Sequence, residues 1–590
     1  MKTRDTLRLI KVLLFCSLLV ITVVSFWPSL FNGFFCWDDK DVPLAPFVQR
    51  LTIENIGKYF STFHAGLYHP LTTLSFAIDY AIGKGSAFSF HFTNLLFHLA
   101  NTCLIFILIR KLFSNLSIAY LVALLFGIHP LHVEAVAWIT SRKDLLYVFF
   151  FLGSLYAYTA YLDDGNKKRF YLLSLVLFLF SCLSKIQAAI LPVALFLVDY
   201  LRSGKLISRK RLNEKIPFFL IAILLGIINI IAQKGYGYID YKAPYSATER
   251  LIIFCYGFAQ YIFRILIPAN ISVFYPFPFH PGERLTFIYY VYPLILLLFI
   301  AGTVYLVFRS KKTLVFGLGF FFLCIFLVLV INNYRETVIT DRYTYLGSAG
   351  VFIFIAGSGV SLYQQMKKMK WILPLFGILY VLIFSFLTFK QNRLWHSPSR
   401  LIKAALISHP DSPILLNTFG SLAIDSGSYL TALTYLDKAI LVNKNYTDAW
   451  YQKGIAENKL KNYSQALDDF SHAIMLNPAY TDAYFGAGNV YRVTGEYQKA
   501  LEEYSMALML NRNYFGAWQD RAIIRIELED YQGAIDDLDH AITLNPGFGA
   551  SFYLRGIAEF GLKKNGCNDL RKAVMLKYQP AQKALDYYCK

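Results

Sequence analysis

Long apolar runs fill the first part of the chain, and shorter amphipathic ones fill the rest. About 20 apolar residues cross a bilayer as a helix. Eleven stretches reach or approach that length: roughly 8–28, 92–109, 117–137, 145–162, 170–185, 187–201, 216–233, 286–308, 314–331, 347–364 and 371–389. The pair at 170–201 is short and closely spaced. A further apolar stretch, 251–267, reads as an interfacial or re-entrant helix in a long outer loop, because counting it as a span breaks the charge pattern described below.

The pattern changes after about residue 410. Leu416, Trp450, Tyr484, Trp518 and Phe552 recur every 34 residues, and so do Gly420, Gly454, Gly488, Ala522 and Gly556. Ala432, Ala466, Ala500 and Ala534 keep the same period, as do Ala439, Ala473, Ala507 and Ala541. This is the tetratricopeptide pattern: small residues let two helices approach, and large ones fill the space between units. Such units stack into a solenoid with a concave groove. The periodic residues are therefore core, and ligand contacts fall to exposed groove residues. The fifth unit leaves the period after Phe560. Cys567 and Cys589 fall near the start of one predicted helix and the end of the next, which are neighbouring ends in an antiparallel pair. They form a candidate disulfide in an oxidising compartment; two free thiols are the alternative.

The expected fold is all-α: a polytopic bundle of about 11 spans followed by an α-solenoid. The expected domains are a membrane domain at 1–395, a linker at 396–412, and a repeat domain at 413–590 with about five units and a capping helix.

A content of 56% hydrophobic and 17% aromatic residues in 590 excludes one soluble core. The formal charge of +19 would suit nucleic acid, but its distribution does not. The basic residues cluster between spans, at Lys2/Arg4/Arg8, Arg110/Lys111, Lys167/Lys168/Arg169, Arg202 to Lys215, Arg309/Lys311/Lys312 and Lys367/Lys368/Lys370. With eleven spans all six clusters share one side, which the positive-inside bias makes cytoplasmic. No nucleic-acid motif accompanies them, so no nucleic-acid partner is expected. The amino terminus is then inside and the repeats outside. That is the inner membrane and periplasm of a bacterium, or the endoplasmic reticulum membrane and lumen of a eukaryote. The first run, Leu7 to Ser29, reads as an uncleaved span: it is long for a signal peptide and no small-x-small site follows.

The outer side collects ionisable residues. The first outer loop holds Asp38, Asp39, Asp41, His64, His69 and Asp79. The second carries His129, His132 and Glu134, then Arg142, Lys143 and Asp144. Lys185 sits at the next outer turn, and Arg335, Glu336, Asp341, Arg342 and Tyr343 in the last loops. Charged groups at the membrane boundary are functional candidates because burying them unpaired is costly. A carboxylate there can deprotonate an acceptor hydroxyl, and cations can hold a phosphate leaving group. Asp38 is the candidate base. Arg142, Lys143, Lys185 and Arg342 are candidates for the phosphate, with Asp144 in the same cavity. These are the needs of sugar transfer from a lipid phosphate. The spacing His-x-x-His-x-Glu in His129, His132 and Glu134 is one that a divalent metal can take, although Pro130 interrupts a regular helix between them. Lining of the substrate cavity is the other reading of these three. A membrane-anchored repeat scaffold without chemistry is the competing class.

Several motifs together resemble the GT-C-type O-mannosyltransferases that carry tetratricopeptide repeats. They are Phe35-Cys36-Trp37-Asp38-Asp39, Tyr68-His69-Pro70-Leu71-Thr72-Thr73, His91-Phe92-Thr93-Asn94, His129-Pro130-Leu131-His132-Val133-Glu134, Ser141-Arg142-Lys143-Asp144, Leu183-Ser184-Lys185 and Asp341-Arg342-Tyr343. The resemblance implies a GT-C membrane fold, a polyprenyl-phosphate sugar donor (mannose above others) and a protein acceptor recruited by the repeats. It maps the base to Asp38, with Asp39 as the alternative. Ile186-Gln187 stands where that family carries Glu, which puts the role of the Lys185 turn in question. The sugar and the acceptor, protein or else lipid or glycan, stay open.

Overall fold

The computed structural model describes residues 2–35, 37–39, 42–63, 66–165, 167–204, 209–235, 245–279, 281–332, 337–366 and 371–589. Cys36, Asp41, His64, Arg335, Glu336 and the cluster at 367–370 lie outside the described residues. The chain divides into two units, Met1–Ser408 and His409–Lys590. Within the stretch expected as a linker, Pro398–Ser408 forms a helix that belongs to the first unit.

In the first unit, nine of the described helices are long and apolar enough to cross a membrane, from Leu9–Phe31 to Ile372–Leu394. A bent pair, Leu116–Ile128 and Pro130–Ala137, with 53° between its halves, is a tenth candidate when its two helices count as one span. Lys168–Ser184, at 17 residues, is the helix of the run expected at 170–185. Each of the eleven predicted stretches thus has a helix. Ala247–Leu266 is also helical, but Glu249, Arg250 and Arg264 keep it outside the set of apolar spans.

The 53° bend has a local cause. Pro130 has no N–H to donate, and its ring drives His129 to an extended backbone, φ −73° and ψ 129°. The His129 imidazole then caps the following turn, its Nδ1 accepting from the Leu131 N–H at 3.3 Å. This break turns His132 and Glu134 away from the line of the first helix. Elsewhere small residues set the spacing. A Cβ on Gly317 would stand 2.7 Å from the Gly350 carbonyl, so helices Lys312–Asn332 and Thr344–Gln365 approach backbone to backbone. Ile139–Asp163 is the most enclosed span, whereas Phe287–Phe308 buries no residue and turns its apolar surface outward.

Three basic clusters meet at one end of the bundle. Lys111 and Arg202 both pair with Asp163, at 3.2 and 3.0 Å, and the Lys312 ammonium lies beside Gly204. The candidate site forms from other helix ends.

The second unit is five antiparallel helix pairs and a last helix, running from Pro413–Asp425 to Gln579–Tyr588. The nine alanines named above as periodic are all fully buried. Gly454 leaves room for the Phe470 ring, which a Cβ would approach to 2.7 Å. Cys567 and Cys589 are joined by a disulfide with Cα atoms 5.8 Å apart, tying the last helix to the one before it. Cys567→Ser is expected to cost about 3 kcal/mol, the loop-closure entropy of a ring of this size. Denaturant unfolding of the full chain without reductant checks this; an unchanged midpoint would leave the bond without a role in stability.

Candidate active site

The loop that follows the first long helix is fixed by Asp39. Its Oδ2 accepts from the Phe35 N–H at 2.8 Å; its Oδ1 accepts from the Thr140 N–H at 2.9 Å and from the Thr140 hydroxyl. Thr140 lies in the short turn Ile139–Ser141, directly ahead of the helix Arg142–Asp163. The Asp39 carboxylate is thus a clamp that brings the loop onto the start of that helix. Burial pushes it up to about 6, against the Thr140 and Phe35 donors, which favour the charged form. A folded value above the ordinary 3.8 means that protonation favours the folded state. The contribution is full below about pH 4 and is lost as pH rises through about 6. The melting midpoint of the parent minus that of Asp39→Asn is expected to fall as pH rises from about 4 to about 7. A flat difference would show that Asp39 does not titrate there.

Asp38, the next residue, is exposed. Among the described residues its carboxylate makes no hydrogen bond or ion pair, and neither does the half-buried ammonium of Lys143. The two charges act on each other, and Asp38 is a stronger carboxylate influence on Lys143 than Asp144 is. Lys185 and Arg342 act on Lys143 as well.

The remaining cations are held but not used up. Lys185 donates to Asp144 Oδ1 at 2.6 Å, and Asp144 Oδ2 has no hydrogen bond. Arg342 pairs with Glu134 through one guanidinium nitrogen and its backbone N–H, the latter at 3.0 Å. Its Nε has no partner. Tyr343 stands between the two: its ring centroid is 5.1 Å from the Lys185 ammonium and 5.2 Å from the Arg342 guanidinium. Arg342 also lies over Trp138 at 4.8 Å, and Trp138 meets Trp37 at 5.6 Å. One aromatic wall therefore links the residue beside Asp38 to Arg342. A single carboxylate and three cations with spare donors are suited to a hydroxyl and a phosphate.

Arg142 is placed differently from the expectation that it meets a phosphate. It is fully buried, paired with Asp79 at 2.5 Å, and donates to Asn94 Oδ1 at 2.7 Å and to the Phe90 carbonyl at 2.6 Å. Its guanidinium is committed inside the fold. The metal reading of His129, His132 and Glu134 also fails on geometry. His129 Nε2 faces the Ile265 carbonyl at 3.0 Å, and His132 faces the Phe126 carbonyl at 2.8 Å and Ser348 at 2.9 Å. Glu134 is turned to Arg342. Among the described residues no three His, Cys, Asp or Glu converge on a point. Of the three, only Glu134 reaches a cation of the candidate site, Arg342, whereas both imidazoles face backbone carbonyls.

Trp138 escaped the sequence reading, and Asp79 entered it only as a loop carboxylate, without its pairing to Arg142. Asp79 lies 63 positions before Arg142 and Trp138 between two charged motifs, so no spacing rule pairs either with its cation.

Comparison with known proteins finds matches in both halves of the chain. Residues 69–232 match the Dolichyl-phosphate-mannose-protein mannosyltransferase family, and residues 447–480 match the Tetratricopeptide repeat family. Protein O-mannosyl-transferase TMTC3 of Homo sapiens is 32% identical over 171 residues, which cover 27% of this chain and 19% of that protein. A Caenorhabditis elegans protein O-mannosyl-transferase is 26% identical over 44% of this chain and 39% of its own length. Mouse TMTC4, of the same name, is 26% identical over 62% of this chain and 57% of its length. The matched segment thus spans about a fifth of the human relative. Among solved structures, MamA covers 25% of this chain and 87% of its own at 26% identity, with a TM-score of 0.24. The repeat protein YrrB covers 32% of this chain and 98% of its own at 21% identity, with a TM-score of 0.28.

Proposed function

We propose that the membrane unit transfers mannose from a polyprenyl-phosphate donor to a hydroxyl of a protein acceptor. The observation that carries this reading is the Asp38 carboxylate, without a partner among the described residues, within electrostatic reach of the likewise unpartnered Lys143, with Lys185 and Arg342 both against the Tyr343 ring. The acceptor hydroxyl attacks the anomeric carbon as the bond from that carbon to the phosphate oxygen breaks. Asp38 takes the hydroxyl proton, and the lipid phosphate leaves with its charge held by Lys143, Lys185 and Arg342. One displacement inverts the anomeric centre. A phosphate leaves without needing a proton, so a second carboxylate is not required. Asp144 and Glu134 position Lys185 and Arg342; Asp39 positions Asp38. The repeats recruit the acceptor.

The end where Lys111, Arg202 and Lys312 gather is the cytoplasmic one by the positive-inside bias. The reactive end then faces the periplasm of a bacterium, or the lumen of the endoplasmic reticulum in a eukaryote, and the repeats share that side.

Membranes holding the protein, given labelled polyprenyl-phosphate mannose, should place label in protein. Label in lipid or glycan instead would keep the transferase and replace the acceptor. No label from mannose or any other polyprenyl-phosphate sugar would remove the enzyme and leave a repeat scaffold.

A further inference from the structure

The solenoid carries a second periodicity, in its charges. Position 453 and the positions 34 and 68 residues before Arg555 form one series: Lys453, Ala487, Arg521 and Arg555. Three members are cations, and each is held the same way. Lys453 bridges Asp437 at 3.0 Å and Asp469 at 3.7 Å. Arg521 grips Asp537 with two nitrogens, at 2.9 and 2.6 Å, and donates to Ser505 at 2.9 Å. Arg555 grips Asp569 in the same fork, at 2.6 and 2.8 Å, and reaches Asp539 at 2.5 Å. Each cation also lies over the ring three residues before it: Trp450 at 5.6 Å, Trp518 at 5.0 Å and Phe552 at 5.7 Å.

The third unit keeps the surroundings and lacks the cation. Ala487 is the small buried residue at that position. The ring three residues before it is Tyr484, and the carboxylate sixteen residues after it, matching Asp469 and Asp537, is Glu503. The residue sixteen before it, matching Asp437 and Ser505, is Ser471. Glu503 is half-buried, and its Oε2 is enclosed with no hydrogen-bond partner. Such an atom has given up water without a replacement, which is unfavourable. Burial, and then the neighbouring Glu502, hold the carboxyl above its ordinary range.

We infer that Glu503, Tyr484 and Ser471 form a niche over Ala487 that receives an arginine or lysine side chain of a docked polypeptide. The guest supplies the cation that three other units supply from within: a charge-assisted bond to Glu503, a hydroxyl contact at Ser471 and a face on Tyr484. A guanidinium fits best, because Arg521 and Arg555 show the forked geometry that the position supports. The inference concerns the repeat unit alone and does not require the transfer reaction.

The test uses the full chain in detergent, binding an array of random 12-residue peptides. Peptides bound by the parent are expected to depend on one basic residue, with exchange of that arginine for citrulline weakening binding at least about tenfold. Glu503→Gln should remove that dependence. Glu502→Gln, which deletes the same charge next door, should keep it. Ala487→Arg should remove it too and raise the unfolding midpoint, because the new arginine fills the niche from inside. Binding indifferent to citrulline, or an equal loss in Glu502→Gln and Glu503→Gln, would overturn the niche. So would Ala487→Arg that leaves both the midpoint and the arginine dependence as they were.

Discussion

Asp38→Asn is expected to lower sugar transfer by about 10²–10⁴-fold, the usual contribution of a positioned general base. The change is nearly isosteric and falls on an exposed side chain with no partner among the described residues, so folding and membrane insertion should persist. Binding of the polyprenyl phosphate should persist as well, because Lys143, Lys185 and Arg342 are untouched. The loss should therefore appear in kcat with little change in KM for the donor. Asp39→Asn separates the two adjacent carboxylates. Asp39 is spent on three donors from Phe35 and Thr140, so its replacement should act through stability and its pH dependence. If Asp38→Asn transfers sugar at the parental rate while Asp39→Asn is inactive but folded, the base is Asp39 and the clamp reading is wrong.

The legible features were those that repeat or that water decides. A 34-residue period survives in the sequence because each unit buries the same face against the next, as Ala466, Ala500 and Ala534 do. The spans were legible because lipid tolerates little else over 20 residues. The sidedness of the basic clusters set 251–267 apart from the spans; separately, the helix Ala247–Leu266 carries Glu249, Arg250 and Arg264, too many charges for an apolar span. Side-chain allegiance was not legible. His129, His132 and Glu134 look like a ligand set in one dimension, but the break at Pro130 sends each to a different partner. Arg142 and Arg342 also look alike in sequence, each an arginine within two residues of an aspartate. Their fates differ because Asp79 and Asn94 arrive from distant helices to enclose one, while Tyr343 and Trp138 leave the other partly open.

That difference makes the second large effect a loss of folding. Arg142→Met should destabilise the membrane unit by about 3–5 kcal/mol, since it leaves the Asp79 charge buried without a partner. Asp79 keeps one bond, from the Thr93 hydroxyl at 2.8 Å, which is too little to hold a carboxylate in an interior lined by Phe76 and Phe90. The variant should yield little folded protein, and its unfolding midpoint should drop well below the parent's. The double variant Arg142→Met with Asp79→Asn should regain most of the loss, because the uncompensated charge is gone and an amide can still meet Thr93. Under the opposite assignment, with Arg142 on the donor phosphate, Arg142→Met would fold normally and bind polyprenyl phosphate weakly, and Asp79→Asn would rescue nothing. The two outcomes differ in both midpoint and binding, so one pair of variants decides whether this arginine builds the site or works in it.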